Sequence, residues 1–253
     1  MATTPRTALL QVAINGQRTE PHIPRTPDEL ASSARDAVAA GARVVHLHPR
    51  DDEGNPTLAA EPTAAALAAV CAASPGIALS LSTWALIDPT PAHRRRLIGA
   101  WTLLPDLVTA NQGEDGIVEQ CHDLLARGVG IEAGLLELAD AHAFVRSGLA
   151  PHCTRVLLEP LDADPDDAVA HAAAMEEVIT RAGITLPQVH HGDGVASWAV
   201  SERGLRRGHG MRTGLEDVLV LPDGRPAADN TALVVAAVQL MAELNIKPAT
   251  GPF

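Results

Sequence analysis

The sequence predicts an α/β protein, a single (β/α)8 (TIM) barrel over residues 1–253, and three observations predict it. Short apolar runs alternate eight times with Ala-rich amphipathic segments, the periodicity of strand followed by helix. No composition break divides the 253 residues, and such barrels typically need about 250. Each apolar run also ends in polar side chains, and buried polar atoms require partners or a task. The competing architecture is an open doubly wound sheet. No Gly-x-Gly-x-x-Gly follows the first strand, so that fold's dinucleotide fingerprint is missing.

The first strand is expected at Leu9–Asn15, an apolar run closed by Asn15-Gly16. The helix at Pro27–Ala40 has a full start signal: Thr26 as N-cap, Pro27 in the first position, and Asp28 and Glu29 complementing the dipole. Gly41 follows where a left-handed C-cap belongs. The strand Val44–His48 precedes a helix at Ala59–Ala73, and Ala78–Ser82 precedes Ala92–Trp101. Leu107–Asn111 is paired with Gly116–Arg127, and Gly130–Ala133 with Ala139–Ser147. Arg155–Glu159 leads to Pro165–Ala182, closed by Gly183. Gln188–His191 leads to Ala196–Arg207, and Met211–Gly214 to Asn230–Glu243. The tail 245–253, with Pro248 and Pro252, reads as an irregular extension packed on a neighbouring subunit.

Composition narrows the function. Hydrophobic residues make up 46% but aromatics only 2%, with no Tyr, so Ala, Leu, Val and Ile must fill the core. A formal charge of −12 argues against nucleic acid, whose phosphates need a basic face and whose bases stack on aromatics. An anionic small molecule needs only a local basic patch. Cys71, Cys121 and Cys153 are scattered with no Cys-x-x-Cys, which fits a reducing cytoplasm. The N-terminus lacks a long apolar segment, and no apolar stretch reaches the roughly 18 residues of a membrane span. A cytoplasmic protein without a membrane partner is expected.

Val44-Val45-His46-Leu47-His48 is the most informative run. Strand residues two apart share a face, about 6.5 Å apart, so two imidazoles can meet one metal ion. The alternative is a pair of hydrogen-bonded core histidines. A charged loop, Pro49-Arg50-Asp51-Asp52-Glu53, follows at once and places the pair at the carboxyl end of its strand, where such barrels keep their chemistry. The other strand ends carry Asn15, Ser82-Thr83, Thr109 and Asn111, Glu132, Glu159, His190-His191, and Arg212-Thr213-Gly214-Leu215-Glu216-Asp217. His190-His191-Gly192-Asp193-Gly194 reads either as a turn or as an anion cradle. Arg94-Arg95-Arg96 reads as a solvated helix face or, alternatively, as a contact for coenzyme A phosphates.

This set, in this order, resembles the β-keto acid cleavage enzyme family. The resemblance rests on Ala13-Ile14-Asn15-Gly16, Val45-His46-Leu47-His48-Pro49-Arg50-Asp51, Leu81-Ser82-Thr83, Ile131-Glu132 and Arg212-Thr213-Gly214-Leu215-Glu216-Asp217. It implies a (β/α)8 barrel with one divalent metal, usually Zn2+. A β-keto acid and the co-substrate acetyl-CoA become acetoacetate and a new acyl-CoA. Position by position, it implies His46, His48 and Glu216 as metal ligands, Asp217 as base and Arg212 as its partner. Ser82, Thr109 and Glu132 are implied as catalytic or substrate-positioning groups. Asn15, Thr83, Trp84, Asn111, Glu159 and His191 complete the expected substrate pocket. A homo-oligomer such as a tetramer is a further expectation from the family.

Two segments depart from the aminohexanoate-cleaving members. Asn15-Gly16-Gln17-Arg18 replaces an acidic end to the first strand, and Ser82-Thr83-Trp84-Ala85 replaces a Gly-rich stretch. These changes leave the charge of the substrate side chain open while keeping the metal chemistry. Two other functions share the same residues: a metal-dependent aldolase-like lyase or hydrolase that needs no coenzyme A, and a catalytically silent barrel that binds a small acid.

Overall fold

Eight parallel strands close into a barrel in the computed structural model, which describes residues 6–251. They are β2 (Leu10–Ala13), β3 (Val44–Leu47), β4 (Ala78–Ser82), β5 (Leu107–Asn111), β6 (Gly130–Leu135), β7 (Arg155–Leu158), β8 (Gln188–His190) and β9 (Gly210–Thr213). Sequence order is spatial order, and β9 closes on β2 with Gln11 opposite Arg212. A helix follows each: α1 (Pro27–Ala40), α2 (Ala60–Ala73), α3 (Pro91–Gly99), α4 (Ile117–Leu125), α5 (Leu138–Ser147), α6 (Pro165–Arg181), α7 (Ala196–Arg207) and α8 (Asn230–Glu243). At α1 the expected cap is a full capping box: Thr26 accepts from the Glu29 amide while Glu29 accepts from that of Thr26. Outward strand residues such as Leu10, Val12, Val45 and Leu81 pack on Leu30, Ala34, Leu67 and Val70 of the helices.

The tail corrects one expectation. Ile246–Pro248 is not irregular but forms β10, parallel to β1 (Arg6–Ala8), with Arg6 opposite Ile246. Three residues are too few to show a period of two, and the partner lies at the other end of the chain. Pro252 and Phe253, also expected in that tail, lie outside the described residues.

Register decides what fills the barrel. Val44, Ala78 and Leu107 form a small apolar plug with Leu9. Above it lies a buried polar layer of Gln11, Ser80, Thr109, Glu132 and Arg155, where branched aliphatic residues are usual. Thr109, Glu132 and Arg155 sit opposite one another on adjacent strands. Arg155 Nε donates to Glu132 Oε1 at 2.5 Å, and Arg155 also donates to Gln11 at 2.9 Å. Burial opposes the Glu132 charge, but the Arg155 guanidinium and the Thr109 hydroxyl outweigh it and hold the carboxyl at about 2. This layer is the floor of the site above it.

Candidate active site at the carboxyl ends of the strands

His46 is the third residue of β3, inside the barrel, and His48 follows directly after its last residue, Leu47. Both are buried, with ring centroids 5.4 Å apart. Asn15 fixes His48 from the neighbouring strand: its amide donates to the His48 carbonyl at 2.8 Å, and its oxygen accepts from the His48 amide at 2.9 Å. Glu216 arrives from the loop after β9. Its Oε1 lies 3.7 Å from His46 Nε2 and 3.3 Å from His48 Nε2. One ligand atom from each of the three falls within 4.8 Å of the others.

Two glycines permit this approach. Gly16 has φ +55°, and a Cβ there would lie 2.4 Å from Glu216 Cγ. Gly214 has φ +151° and faces the Ala13 carbonyl, which a Cβ would meet at 2.0 Å. Asn230, at the start of α8, pins the same loop by accepting from the Leu215 amide and donating to the Ile14 carbonyl, each at 2.8 Å. Gly16→Ala is therefore expected to displace Glu216 and weaken metal binding at least about tenfold, read by chelator competition. Unchanged affinity would show that the Gly16 contact is irrelevant to the Glu216 position.

Arg212, on β9, grips both acids of the loop. Its Nε and Nη2 donate to the two Asp217 oxygens at 3.1 and 2.7 Å, and Nη2 also reaches Glu216 Oε1 at 2.6 Å. Burial opposes the guanidinium charge, but Asp217 and Glu216 outweigh it and raise its pKa further. Asp217 moves upward chiefly through burial, against the pull of Arg212. Beside it, His191 stands between carboxylates, with Nδ1 3.7 Å from Asp217 and Nε2 3.5 Å from Glu159. Burial opposes its charge as well, yet Asp217 and Glu159 carry its pKa above the ordinary imidazole value.

These residues fit a divalent cation. Neither nitrogen of buried His48 has a hydrogen-bond partner, and Glu216 Oε2 has none either. Such orphans usually cost about 1–3 kcal/mol each. Three carboxylates, Glu159, Glu216 and Asp217, face Arg212 and His191, so negative charge is in surplus even with His191 protonated. Two imidazoles and one carboxylate form the three-ligand set of an open catalytic site.

A family model described as beta-keto acid cleavage enzyme matches residues 7–252. The chain belongs to the β-keto acid cleavage enzyme family. The 3-keto-5-aminohexanoate cleavage enzyme of Fusobacterium nucleatum is 28% identical, with 91% of this chain and 88% of that protein covered. The 3-oxoadipate:acetyl-CoA acetyltransferase of Cupriavidus necator is 28% identical, with 96% and 91% covered. Among solved structures, a ternary complex of ObcA with C4-CoA adduct and oxalate superposes with a TM-score of 0.73 at 19% identity. That match covers 91% of this chain and 66% of the other, and it shows the shared barrel.

Within this family frame, the structure brings His46, His48, Glu216, Asp217, Arg212, His191 and Glu159 together. It places the remaining expected residues differently. Glu132, expected as a substrate contact, is buried and committed to Arg155 and Thr109. Asn15 is spent on the His48 backbone, and the Thr83 hydroxyl donates to the Thr109 carbonyl at 2.9 Å. Both side chains bond backbone groups of neighbouring strand ends. Ser82 lies just inside the rim, where its oxygen accepts from the amide of part-exposed Trp84 at 3.3 Å. Asn111 donates to Glu114 at 3.1 Å and fits beside Gly134, whose Cβ would collide with it.

Two alternative readings also resolve. His190 is buried against Gly204 of α7 and stacked on His209, so only His191 of the pair faces the site. Arg94 is neither solvated nor free for phosphate: it is buried and donates to Gln120 and to the carbonyls of Asp88 and Asp115. Sequence reasoning missed Ser80, Gln11 and Arg155 beneath the site. Arg18, noted in sequence only as a departure at the first strand end, donates through Nε to the Glu216 carbonyl at 2.9 Å. Only the odd polar residues in otherwise apolar strands hinted at the first three.

Proposed function

We propose that this family member converts a β-keto acid and acetyl-CoA into acetoacetate and a new acyl-CoA, with Zn2+ held by His46, His48 and Glu216. The observation that carries the reading is the buried Asp217 carboxylate, gripped by Arg212 directly beside that ligand set. The cation supplies Lewis-acid polarisation of a ketone oxygen, worth several kcal/mol.

In this reading Asp217 acts as the general base, taking the acidic proton from the carbon between ketone and carboxylate. The Arg212 fork fixes its two oxygens, so the proton-accepting lone pair has one direction. His191, poised between Asp217 and Glu159, steadies the Asp217 charge as it changes. In this reading Ser82, bonded to the Trp84 amide at the rim, orients substrate, and Trp84 shapes the entrance. The aromatic-poor acidic chain binds no nucleic acid in this reading. No helix among the described residues is long and apolar enough to cross a membrane. The three cysteines are free, in keeping with a cytoplasmic enzyme, and a homo-oligomer is part of the same family reading.

The test is acetoacetate formation by the zinc-loaded protein from acetyl-CoA and a panel of β-keto acids differing in charge and length. Acetoacetate with the matching acyl-CoA, abolished by a chelator, is expected. Turnover without acetyl-CoA would instead establish the aldolase-like lyase. Tight acid binding without any product would establish the silent binder.

A further inference from the structure

The metal reading leaves one question at His46: which ring nitrogen carries the proton. A ligand nitrogen must be bare, and Nε2 is the atom that faces Glu216. Ser80 Oγ lies 2.9 Å from the other nitrogen, Nδ1. A serine hydroxyl can turn to donate or accept, so Ser80 alone tolerates either tautomer.

Thr109 does not. Its Oγ1 lies 2.8 Å from Glu132 Oε2, and Glu132 is paired with Arg155 through its other oxygen. An ionised carboxylate only accepts, so the single Thr109 proton points at Glu132. Thr109 Oγ1 then presents lone pairs to His46 Nδ1 at 3.4 Å. Two lone pairs facing each other repel, whereas an Nδ1–H satisfies both hydroxyls at once.

We propose that the buried Arg155–Glu132–Thr109 chain, with Ser80, sets the tautomer of His46 from beneath, holding the proton on Nδ1 and leaving Nε2 bare for the metal. This rests on the metal reading of the site. It makes Thr109 and Glu132 positioning residues for His46 and gives the polar layer of the barrel its purpose. Gln11 completes the chain by accepting from Arg155.

The test uses the full-length protein labelled with 15N and stripped of metal by a chelator, with the His46 signal assigned by its loss in His46→Gln. Nitrogen–proton correlations are expected to show His46 protonated on Nδ1. In Thr109→Val the Nε2-protonated form should appear, and zinc affinity by chelator competition should fall about 10–100-fold, with Thr109→Ser restoring both. An Nε2-protonated His46 in the unmutated protein would overturn the proposal. So would a Thr109→Val protein of unchanged melting temperature, tautomer and zinc affinity. Should Thr109→Val not fold, Glu132→Gln gives the same decision, because an amide nitrogen donates to Thr109 and reverses its hydroxyl. If the unmutated protein bound no zinc, the metal reading would fall, yet the tautomer would still be read in the metal-free chain.

Discussion

His48→Ala abolishes metal binding and lowers turnover at least ~10³-fold, about 4 kcal/mol in the barrier. The His48 ring is buried with no hydrogen-bond partner on either nitrogen. Its removal therefore costs the metal-free fold its packing and the 3.3 Å contact with Glu216 Oε1. The melting temperature of the metal-free variant should drop by the cavity cost and the lost Glu216 contact, while the rise that zinc gives the unmutated protein should vanish. Metal content by elemental analysis, together with melting curves with and without zinc, separates the two effects. A variant with one equivalent of zinc and full turnover would remove His48 from the ligand set.

Asp217→Asn leaves metal content unchanged and lowers turnover about 10²–10⁴-fold, the usual contribution of a positioned base. The amide keeps the size of the carboxylate but turns one acceptor into a donor facing Arg212, which now points two N–H groups at Asp217. Glu216 retains its own contact with Arg212 at 2.6 Å, so the metal ligands stay in place. Loss of turnover with metal retained assigns proton transfer to Asp217. Full activity would assign it elsewhere, and His191, 3.7 Å away, would be the next group to test.

Much of the barrel was legible because strand–helix alternation is a local signal. The bounds of β4, β5, α1, α7 and α8 agree with the expected segments, and the other barrel elements differ by one or two residues at one or both ends. The strand pair β1–β10 was not legible, since each strand has only three residues and its partner is more than 230 positions away. The resemblance to the family rested on short motifs, and those motifs do converge: His46 and His48 share one strand end, and Arg212 on β9 meets Glu216 and Asp217 of the loop that follows it. The roles of Asn15, Thr83 and Glu132 were not legible. A polar residue at a strand end looks the same in sequence whether it meets a substrate, a backbone amide or a neighbouring side chain.

Glu132 shows the division most clearly. Sequence alone established that a carboxylate interrupts an apolar strand, that two histidines share a strand face, and that an Arg precedes two acids by four and five positions. Those facts are local and survive without the fold. Tertiary structure alone decided where each side chain is spent. Barrel closure sets Thr109, Glu132 and Arg155 opposite one another, brings Gln11 beneath them, and leaves His48 and Glu216 Oε2 without partners above. Register across eight strands is a long-range property, and in a dry interior it determines which polar atoms find hydrogen bonds and which remain for a ligand.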